Sequence, residues 1–570
     1  MMRLSKAPLI FTLLCLALLP LNSKAANQKD DAGTILNGIE RNQQKVTPLE
    51  SPPKFDVPKE EINPQDITFK VTHFIFEGNN SISSEVLEDF LKKYLDKPIT
   101  YNQLKLAANS LTLLYKEKGF LGKASIPKQD ITAGIVRIVI TEAKFGGVKI
   151  DLDPNVTYHV NPNLIRELVE ANNPKNLPLN IENLDRSIMI ANDLSGVRVE
   201  GTLQAGELEG QTESHIKLTN DAWVTGGFLV DNSGARSTGP VRYLANGSLL
   251  SPLKYGDRGD ALYLHTSGSD YGRLTYDFPL GLSGLHVGIN GSALKYNIVE
   301  DDVNHNKPYG DSQSAQITLS YPIYRTSMTD IRLSSFLEYK HFSNSNNTDG
   351  LVSKYEVNTF NLGLSLKQLN SVLAGGQSNV AFNFDDGDTN YGGSPNQASQ
   401  SQQDTGGHFN RLRANVVHTQ FMQDDLSVVL KANGQWSDVN LDSSQKFYLG
   451  GASGVRAYPV NEGAGSNGFV VNAEIRKKLP FNVSVTGFYD YGYARQYVND
   501  PSITGGSIIG PNNFNLQGYG LSLDWLGPYR SFFSVSAAQR LGHNPNAIGG
   551  NDSDGTSPGT FYWFQTQISF

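Results

Sequence analysis

Residues 518–537 read Gly518-Tyr519-Gly520-Leu521-Ser522-Leu523-Asp524-Trp525-Leu526-Gly527-Pro528-Tyr529-Arg530-Ser531-Phe532-Phe533-Ser534-Val535-Ser536-Ala537. Tyr519, Leu521, Leu523 and Trp525 interleave with Gly518, Gly520, Ser522 and Asp524; past a Gly-Pro turn, Phe533, Val535 and Ala537 oppose Ser534, Ser536 and Arg540. A period of two marks a strand with one apolar and one polar face. Outward from here the pattern persists. Leu426, Val428, Leu430 and Ala432 interleave with Ser427, Lys431 and Asn433, and Phe469, Val471, Ala473 and Ile475 oppose Asn472, Glu474 and Arg476. Beyond about residue 220 helical periodicity vanishes.

A water-soluble sandwich alternates too, so the connections decide. The pattern predicts sixteen strands, near 222–231, 241–251, 259–267, 271–278, 284–297, 312–321, 331–341, 355–367, 377–386, 409–421, 426–436, 468–478, 483–493, 516–526, 531–541 and 560–570. Connections after even-numbered strands are tight, as at Met422–Asp425, Leu479–Asn482 and Gly527–Arg530. Those after odd-numbered strands are mostly long and polar: Val299–Asp311, Gly387–His408, Ser437–Asn467, Ala494–Asn515 and Gly542–Gly559. Short turns on one rim, long loops on the other, an even count and spans of ~9–11 residues predict an antiparallel transmembrane β-barrel over 220–570. The closing strand Phe561–Phe570 is aromatic to its end, and Phe570 reads as a barrel-assembly signal at the membrane interface.

Composition agrees. With 570 residues, 39% hydrophobic and 55 Gly, the chain supports real cores and is not globally disordered. A formal charge of −8 argues against a dedicated nucleic-acid binder. Only the N-terminus holds an uninterrupted apolar run, which excludes a helical multi-span membrane protein. There, Arg3 and Lys6 precede Ala7 to Leu21, followed by Ser23-Lys24-Ala25, the layout of a secretory signal peptide over 1–25. Cleavage after Ala25 removes three cations and the single cysteine, Cys15, so the mature chain has neither disulfides nor Cys-ligated metal.

Within 26–46, Ile35, Leu36, Ile39 and Val46 suit one short amphipathic helix, in which Arg41 is a candidate contact residue. Residues 47–66 hold Pro48, Pro52, Pro53, Pro58 and Pro64, an extended linker. Residues 67–144 read strand, helix, helix, strand, strand. Ser84 is expected to cap a first helix; Thr100 with Gln103 makes a capping box for a second that carries Leu104, Leu111 and Leu114. Residues 145–219 repeat the order, so two small α+β modules stand in tandem before the barrel.

The run most suggestive of function is Gly450-Gly451-Ala452-Ser453-Gly454-Val455-Arg456-Ala457-Tyr458-Pro459, in the sixth long loop, near 437–467. In the strand beginning at Val483, alternation turns Phe488, Asp490 and Gly492 into the lumen. A carboxylate inside a pore calls for a bidentate Arg, so Arg456 is expected to reach Asp490 and pin the loop inward.

These residues resemble the sixth-loop motif and barrel partner of the TpsB transporters of two-partner secretion, which include haemolysin secretion/activation proteins and transporters for contact-dependent inhibition exoproteins. The resemblance covers essentially the whole mature chain: plug helix, linker, two POTRA modules and a sixteen-stranded barrel. Two departures stand out: Ala457, where the wider superfamily usually has Gly, and Ser466-Asn467, where an acid is common. The resemblance implies an outer-membrane location in a Gram-negative bacterium, with the POTRA modules in the periplasm. It also implies ATP-independent export of a large, unfolded exoprotein (TpsA-type, with an N-terminal secretion domain) and a plug helix resting in the lumen. Other implied partners are outer-membrane lipid and the barrel-assembly machinery, and the chain is expected to be monomeric, without cofactor, metal or nucleic acid. Client docking is expected at the first module, through Leu104, Leu111 and Leu114 of its second helix and Phe120 and Leu121 of the following strand, by β-augmentation.

Weaker matches lead nowhere. Gly463–Gly468 fits G-x-G-x-x-G without its strand-then-helix context, Asp552-Ser553-Asp554-Gly555 lacks the distal Glu of a calcium loop, and no nucleophile elbow, zinc motif or phosphate loop appears. The chain reads as no enzyme. The alternatives are a barrel-assembly insertase of the same superfamily, which more often carries extra POTRA modules and lacks a Pro-linked plug, and a diffusion porin, which needs no modules.

Overall fold

The computed structural model describes residues 30–41, 68–131, 133–208, 210–299, 307–505 and 510–570. The expected signal peptide (1–25), the linker (47–66) and both ends of the 26–46 segment lie outside them. The described part of that segment is a ten-residue helix, α1 (Ala32–Arg41).

Two three-stranded sheets of one topology follow. In the first, His73–Glu77 runs parallel to Ile135–Glu142, which pairs antiparallel with Gly122–Ser125. Helices α2 (Ser84–Leu91) and α3 (Tyr101–Glu117) pack on it. Ser83, not Ser84, occupies the cap position of α2, and its side chain makes no capping bond. The α3 box closes in both directions, Gln103 N–H to Thr100 Oγ1 at 3.1 Å and Thr100 N–H to Gln103 Oε1 at 2.9 Å. In the second sheet, Lys144–Asp151 lies parallel to Gln211–Asn220, which pairs with Val197–Ala205; α4 (Pro162–Asn172) and α5 (Ile181–Asn192) cover it. Each module buries its own core: Val71, Leu87, Leu104 and Val136 in the first; Phe145, Ile165, Val169 and Ile216 in the second. At ~1.5–3 kcal/mol for each buried aliphatic, such a core offsets the chain entropy of a small domain.

The sixteen barrel strands are β1 (Val224–Asp231), β2 (Arg242–Leu250), β3 (Arg258–His265), β4 (Ser269–Leu280), β5 (Leu285–Asn297), β6 (Tyr309–Arg325), β7 (Thr329–Asn346), β8 (Gly350–Asn370), β9 (Gly376–Asn390), β10 (Gly407–Phe421), β11 (Leu426–Ser437), β12 (Asn467–Leu479), β13 (Val483–Arg495), β14 (Asn513–Leu526), β15 (Ser531–Arg540) and β16 (Thr560–Ser569). Each pairs with the next, and β16 closes on β1 from Gln565↔Asp231 to Ser569↔Gly227. Phe570 extends that seam by exchanging both backbone hydrogen bonds with Gly226 (3.0 and 3.1 Å). Alternation sends Ile289, Leu337, Ile475 and Leu521 outward, 57–63% exposed, and buries Asn361, Asp385 and Asp490 inside.

Two connections after odd-numbered strands, 266–268 and 347–349, are only three residues long. The β7–β8 ladder continues to Asn346↔Gly350, so β8 runs 21 residues, well beyond a ~9–11-residue span. Polar residues such as Asn344, Asn346 and Ser353 carry the hairpin past the apolar band; alternation there marks a ladder without marking where the membrane ends.

Candidate functional site in the barrel lumen

β13 turns Thr486, Phe488, Asp490 and Gly492 inward, and neighbouring β12 adds Asn472 and Glu474. Connection 438–466, the sixth loop, folds into this side of the lumen. Arg456 Nε and Nη2 donate to the two Asp490 oxygens at 2.9 and 2.7 Å, and the Arg456 backbone N–H adds a third bond at 3.0 Å. The guanidinium lies 3.5 Å over the Phe488 ring centroid and reaches Glu474 Oε1 through Nη1 at 3.0 Å. Asn472 Nδ2 donates to Asp490 Oδ1 (2.7 Å) and to the Gly454 carbonyl (2.9 Å). Asp490 has no exposed surface. An acid so enclosed is held by geometry; deleting its partner strands a buried charge at a cost of about 3–5 kcal/mol.

The glycines are dictated by crowding. A Cβ on Gly450 would lie 2.2 Å from the Pro459 carbonyl oxygen, and one on Gly492 would lie 2.9 Å from Val455 Cγ2. Gly451 has φ +109°, a backbone that L side chains rarely adopt. Val455, Ala457 and Tyr458 are fully buried. The methyl of Ala457 is accommodated by the wall: a Cβ on Gly518 of β14 would come within 2.5 Å of it. The Ala457 carbonyl accepts from Arg540 Nε (3.1 Å) and the Arg456 carbonyl from Trp563 Nε1 (2.7 Å), so β15 and β16 grip the loop as well. Arg540 also lies 4.6 Å over the Tyr458 ring and pairs with Asp552. Within the same loop Glu462 accepts from Asn544 (2.9 Å) and from the N–H and hydroxyl of Ser553 (2.8 and 2.7 Å), joining it to the connection after β15. Glu474 of the wall, not a loop acid, is therefore the second anion facing Arg456.

Helix α1 lies in the same lumen. Ile35, Leu36 and Ile39 are buried among Tyr271, Tyr296, Phe342 and Tyr355. Asp31 caps the helix, accepting from Thr34 N–H (2.8 Å) and from the Ser443 hydroxyl (2.8 and 3.0 Å). Asn37 donates to the carbonyls of Ser444 and Lys446 (3.1 and 3.0 Å), and Arg41 to those of Tyr448 and Gly450 (2.7 and 3.3 Å). The wall contributes less: Ala32 N–H to Asn344 at 2.9 Å, and Lys340 to Glu40 at 2.9 Å. The helix fits closely; a Cβ on Gly33 would meet the Tyr355 hydroxyl at 2.7 Å.

In the first module the expected docking residues need correction. Leu104 and Leu111 have no exposed surface and Leu114 has 7%, because they form the inward face of α3. Phe120 bridges to Asn180, while Leu121 packs on the second core and accepts from Ala143 N–H, so both lie at the junction of the modules. The α3 leucines left in solvent are Leu106 and Leu113, at 45 and 59%. The single-face pattern named the apolar side of the helix, and that is the side a core takes. The second module is fastened to the barrel turns: Arg186 donates to the Pro322 carbonyl (2.7 Å), and Asp193 pairs with Arg325 (3.0 Å) and Arg332.

Sequence reasoning did not single out Glu474, Asn472, Gly518, Arg540 or Trp563 as site residues. Glu474 and Asn472 are even-numbered on a strand whose odd positions are apolar, so period two alone could have put them opposite Asp490. Trp563 and Arg540 give no local signal, since the barrel's closure brings them to the loop. Among the described residues no cluster of His, Cys, Asp and Glu is placed to hold a metal ion.

A family profile described as haemolysin secretion/activation protein ShlB/FhaC/HecB matches residues 210–510, and one described as a POTRA domain, ShlB-type, matches 69–143. The chain is 27% identical over 503 residues to the heme/hemopexin transporter protein HuxB of Haemophilus influenzae, covering 84% of each. It is 22% identical to the outer membrane transporter CdiB of Dickeya dadantii, covering 73% of this chain and 75% of that protein. Among solved structures, CdiB from Escherichia coli superposes with a TM-score of 0.73 at 18% identity, over 90% of this chain and 93% of the other. CdiB from Acinetobacter baumannii gives a TM-score of 0.68 at 18% identity, over 94% and 96%.

Proposed function

The chain belongs to the haemolysin secretion/activation family ShlB/FhaC/HecB and is an outer-membrane transporter of two-partner secretion; from that premise we propose that α1 and the sixth loop together hold it in an autoinhibited resting state. The observation that carries this is the bonding of α1 to the stem of the loop whose tip is clamped to β13 by Arg456. A client exoprotein with an N-terminal secretion domain docks on the first module, where α3 adjoins the edge strand Gly122–Ser125. Backbone pairing along that edge gives affinity, and the exposed Leu106 and Leu113 give an apolar contact. The client enters unfolded, α1 leaves, and folding outside the cell supplies direction without a nucleotide. The transporter works as a monomer and performs no catalysis; Phe570 at the seam serves recognition during barrel assembly.

Secretion of the cognate exoprotein tests the reading. Arg456→Ala and Asp490→Ala are expected to cut export, and Leu113→Asp to weaken client capture with the barrel intact. Normal export from both lumen variants would remove the clamp from the mechanism. General loss of other outer-membrane barrels on depletion would instead make the protein an insertase.

A further inference from the structure

The lumen of a wide barrel is lined by polar side chains, and one row of this lumen departs from that rule. Leu264, Tyr271, Leu294, Ser312, Phe342 and Tyr355 are register partners in turn across β3–β8, all turned inward and none more than 3% exposed. Tyr355 stacks on Phe342 at 4.7 Å between ring centroids and on Tyr391 at 4.8 Å, which carries the arc past β8. The inward rows on either side are different. Toward the modules, across β4–β7, the next row is Arg273, Ser292, Ser314 and Lys340. Toward the long loops, across β4–β8, it is Ser269, Gly310, Asn344 and Ser353, with Tyr296 as its single ring. The arc is therefore one residue tall, apolar or aromatic at five of six positions, between polar neighbours.

Helix α1 covers this arc at rest but does not account for all of its chemistry. Ala32, Ile35, Leu36 and Ile39 join the same apolar cluster. The hydroxyls of Tyr271 and Tyr355 nevertheless make no hydrogen bond to the helix, whose backbone amides are spent on its own turns. The polar bonds of α1 go to the sixth loop instead. An extended chain has the complementary properties: it offers an N–H and a C=O at every residue, and its side chains alternate in direction. Once α1 leaves, bare rings in a water-filled channel are unfavourable until apolar surface covers them. The polypeptide then in the channel is the exoprotein.

We propose that this arc is a sliding seal for the exoprotein. Extended segments cross it with apolar side chains against Leu294, Phe342 and Tyr355 and with backbone amides at the Tyr271 and Tyr355 hydroxyls, and the contact shuts out ions while the chain passes. The inference rests on the transport reading and adds to it the place where the lumen grips its cargo.

The test is photocrosslinking in the full chain, with p-benzoylphenylalanine at Phe342, Tyr355 or Thr318, while the cognate exoprotein is held in transit by a stably folded carboxy-terminal fusion. Thr318 is the third inward position beneath Ser312 on β6. Adducts are expected at all three positions, strongest at Phe342 and Tyr355. Adducts at Thr318 alone overturn the seal and leave the transport reading standing, whereas no adduct at any position overturns both. Planar-bilayer recordings of the chain lacking residues 27–50 read the same contact without α1. The probe is a long Gly-Ser peptide interrupted by Phe, or the same peptide with Ser in each Phe place. Blockades by the Phe peptide are expected to last about tenfold longer. Phe342→Ser with Tyr355→Ser is expected to remove the difference, and Phe342→Leu with Tyr355→Leu to keep it; heat-modifiable migration shows that each variant is folded. Equal durations for the two peptides, or durations that ignore the Ser variant, overturn the proposal.

Discussion

Replacing Arg456 by Ala removes two side-chain bonds to Asp490, the ion pair with Glu474 and the stack on Phe488, while the backbone N–H and Asn472 still reach Asp490. Glu474 keeps Lys431 at 2.9 Å and Arg476 at 3.5 Å, so Asp490 carries the penalty. A buried acid stripped of its partner costs about 3–5 kcal/mol, and the remaining N–H donors set the lower end as the better figure. At ~1.4 kcal/mol per decade, the pinned-to-free ratio of the loop falls by about two decades. Continuous-wave EPR of a spin label at Ala452 reads this directly, as a mobile component in Arg456→Ala that the parent lacks. Asp490→Ala alone is expected to act comparably, and the double variant hardly more than either single one, because no charge is left stranded. A double variant that loses the sum of both single effects, or an immobile label in Arg456→Ala, would refute the reasoning.

Gly518→Ala forces a methyl onto that of Ala457 and is expected to destabilise the loop by about 1–3 kcal/mol, measured as lowered thermal stability and reversed by Ala457→Gly in the same chain. Arg41→Ala frees the Tyr448 and Gly450 carbonyls, and planar-bilayer recordings are expected to show more frequent openings, with deletion of residues 27–50 giving the larger conductance; unchanged conductance in the deletion removes the plug. Asp193→Ala leaves Arg325 and Arg332 to share Asp330 and is expected to speed hydrogen exchange in α5. Burial and the bond to Glu142 (3.0 Å) push the Tyr115 phenol above its usual range. Because the folded value is the higher, the first module keeps this contribution below pH ~10 and loses it as pH rises further; Tyr115→Phe is expected to flatten that alkaline loss in circular-dichroism titration.

The barrel was legible because lipid demands a closed ladder, and a closed ladder writes period two into the chain with short and long connections in turn. Asp490 could be turned inward by the same rule, and a glycine-flanked arginine in a long loop was its obvious counter-charge. What escaped was set by packing in three dimensions. Leu104, Leu111 and Leu114 form an apolar stripe whether a core or a client covers it, and in this module the core does. Ala457 and Gly518 lie on separate segments, so their exchange of volume is invisible until both are placed. The short 347–349 connection was missed because β7 and β8 go on alternating outside the membrane.

Since α1 belongs to the same chain as the pore it fills, joined to the first module by residues 42–67, the stopper travels on a leash. On the proposed cycle, dislodging it releases nothing into the periplasm, and its return is an intramolecular step. If α1 leaves and returns as proposed, each cargo that clears the channel hands it back to a cork carried by the same chain, and the envelope reseals without any separate factor.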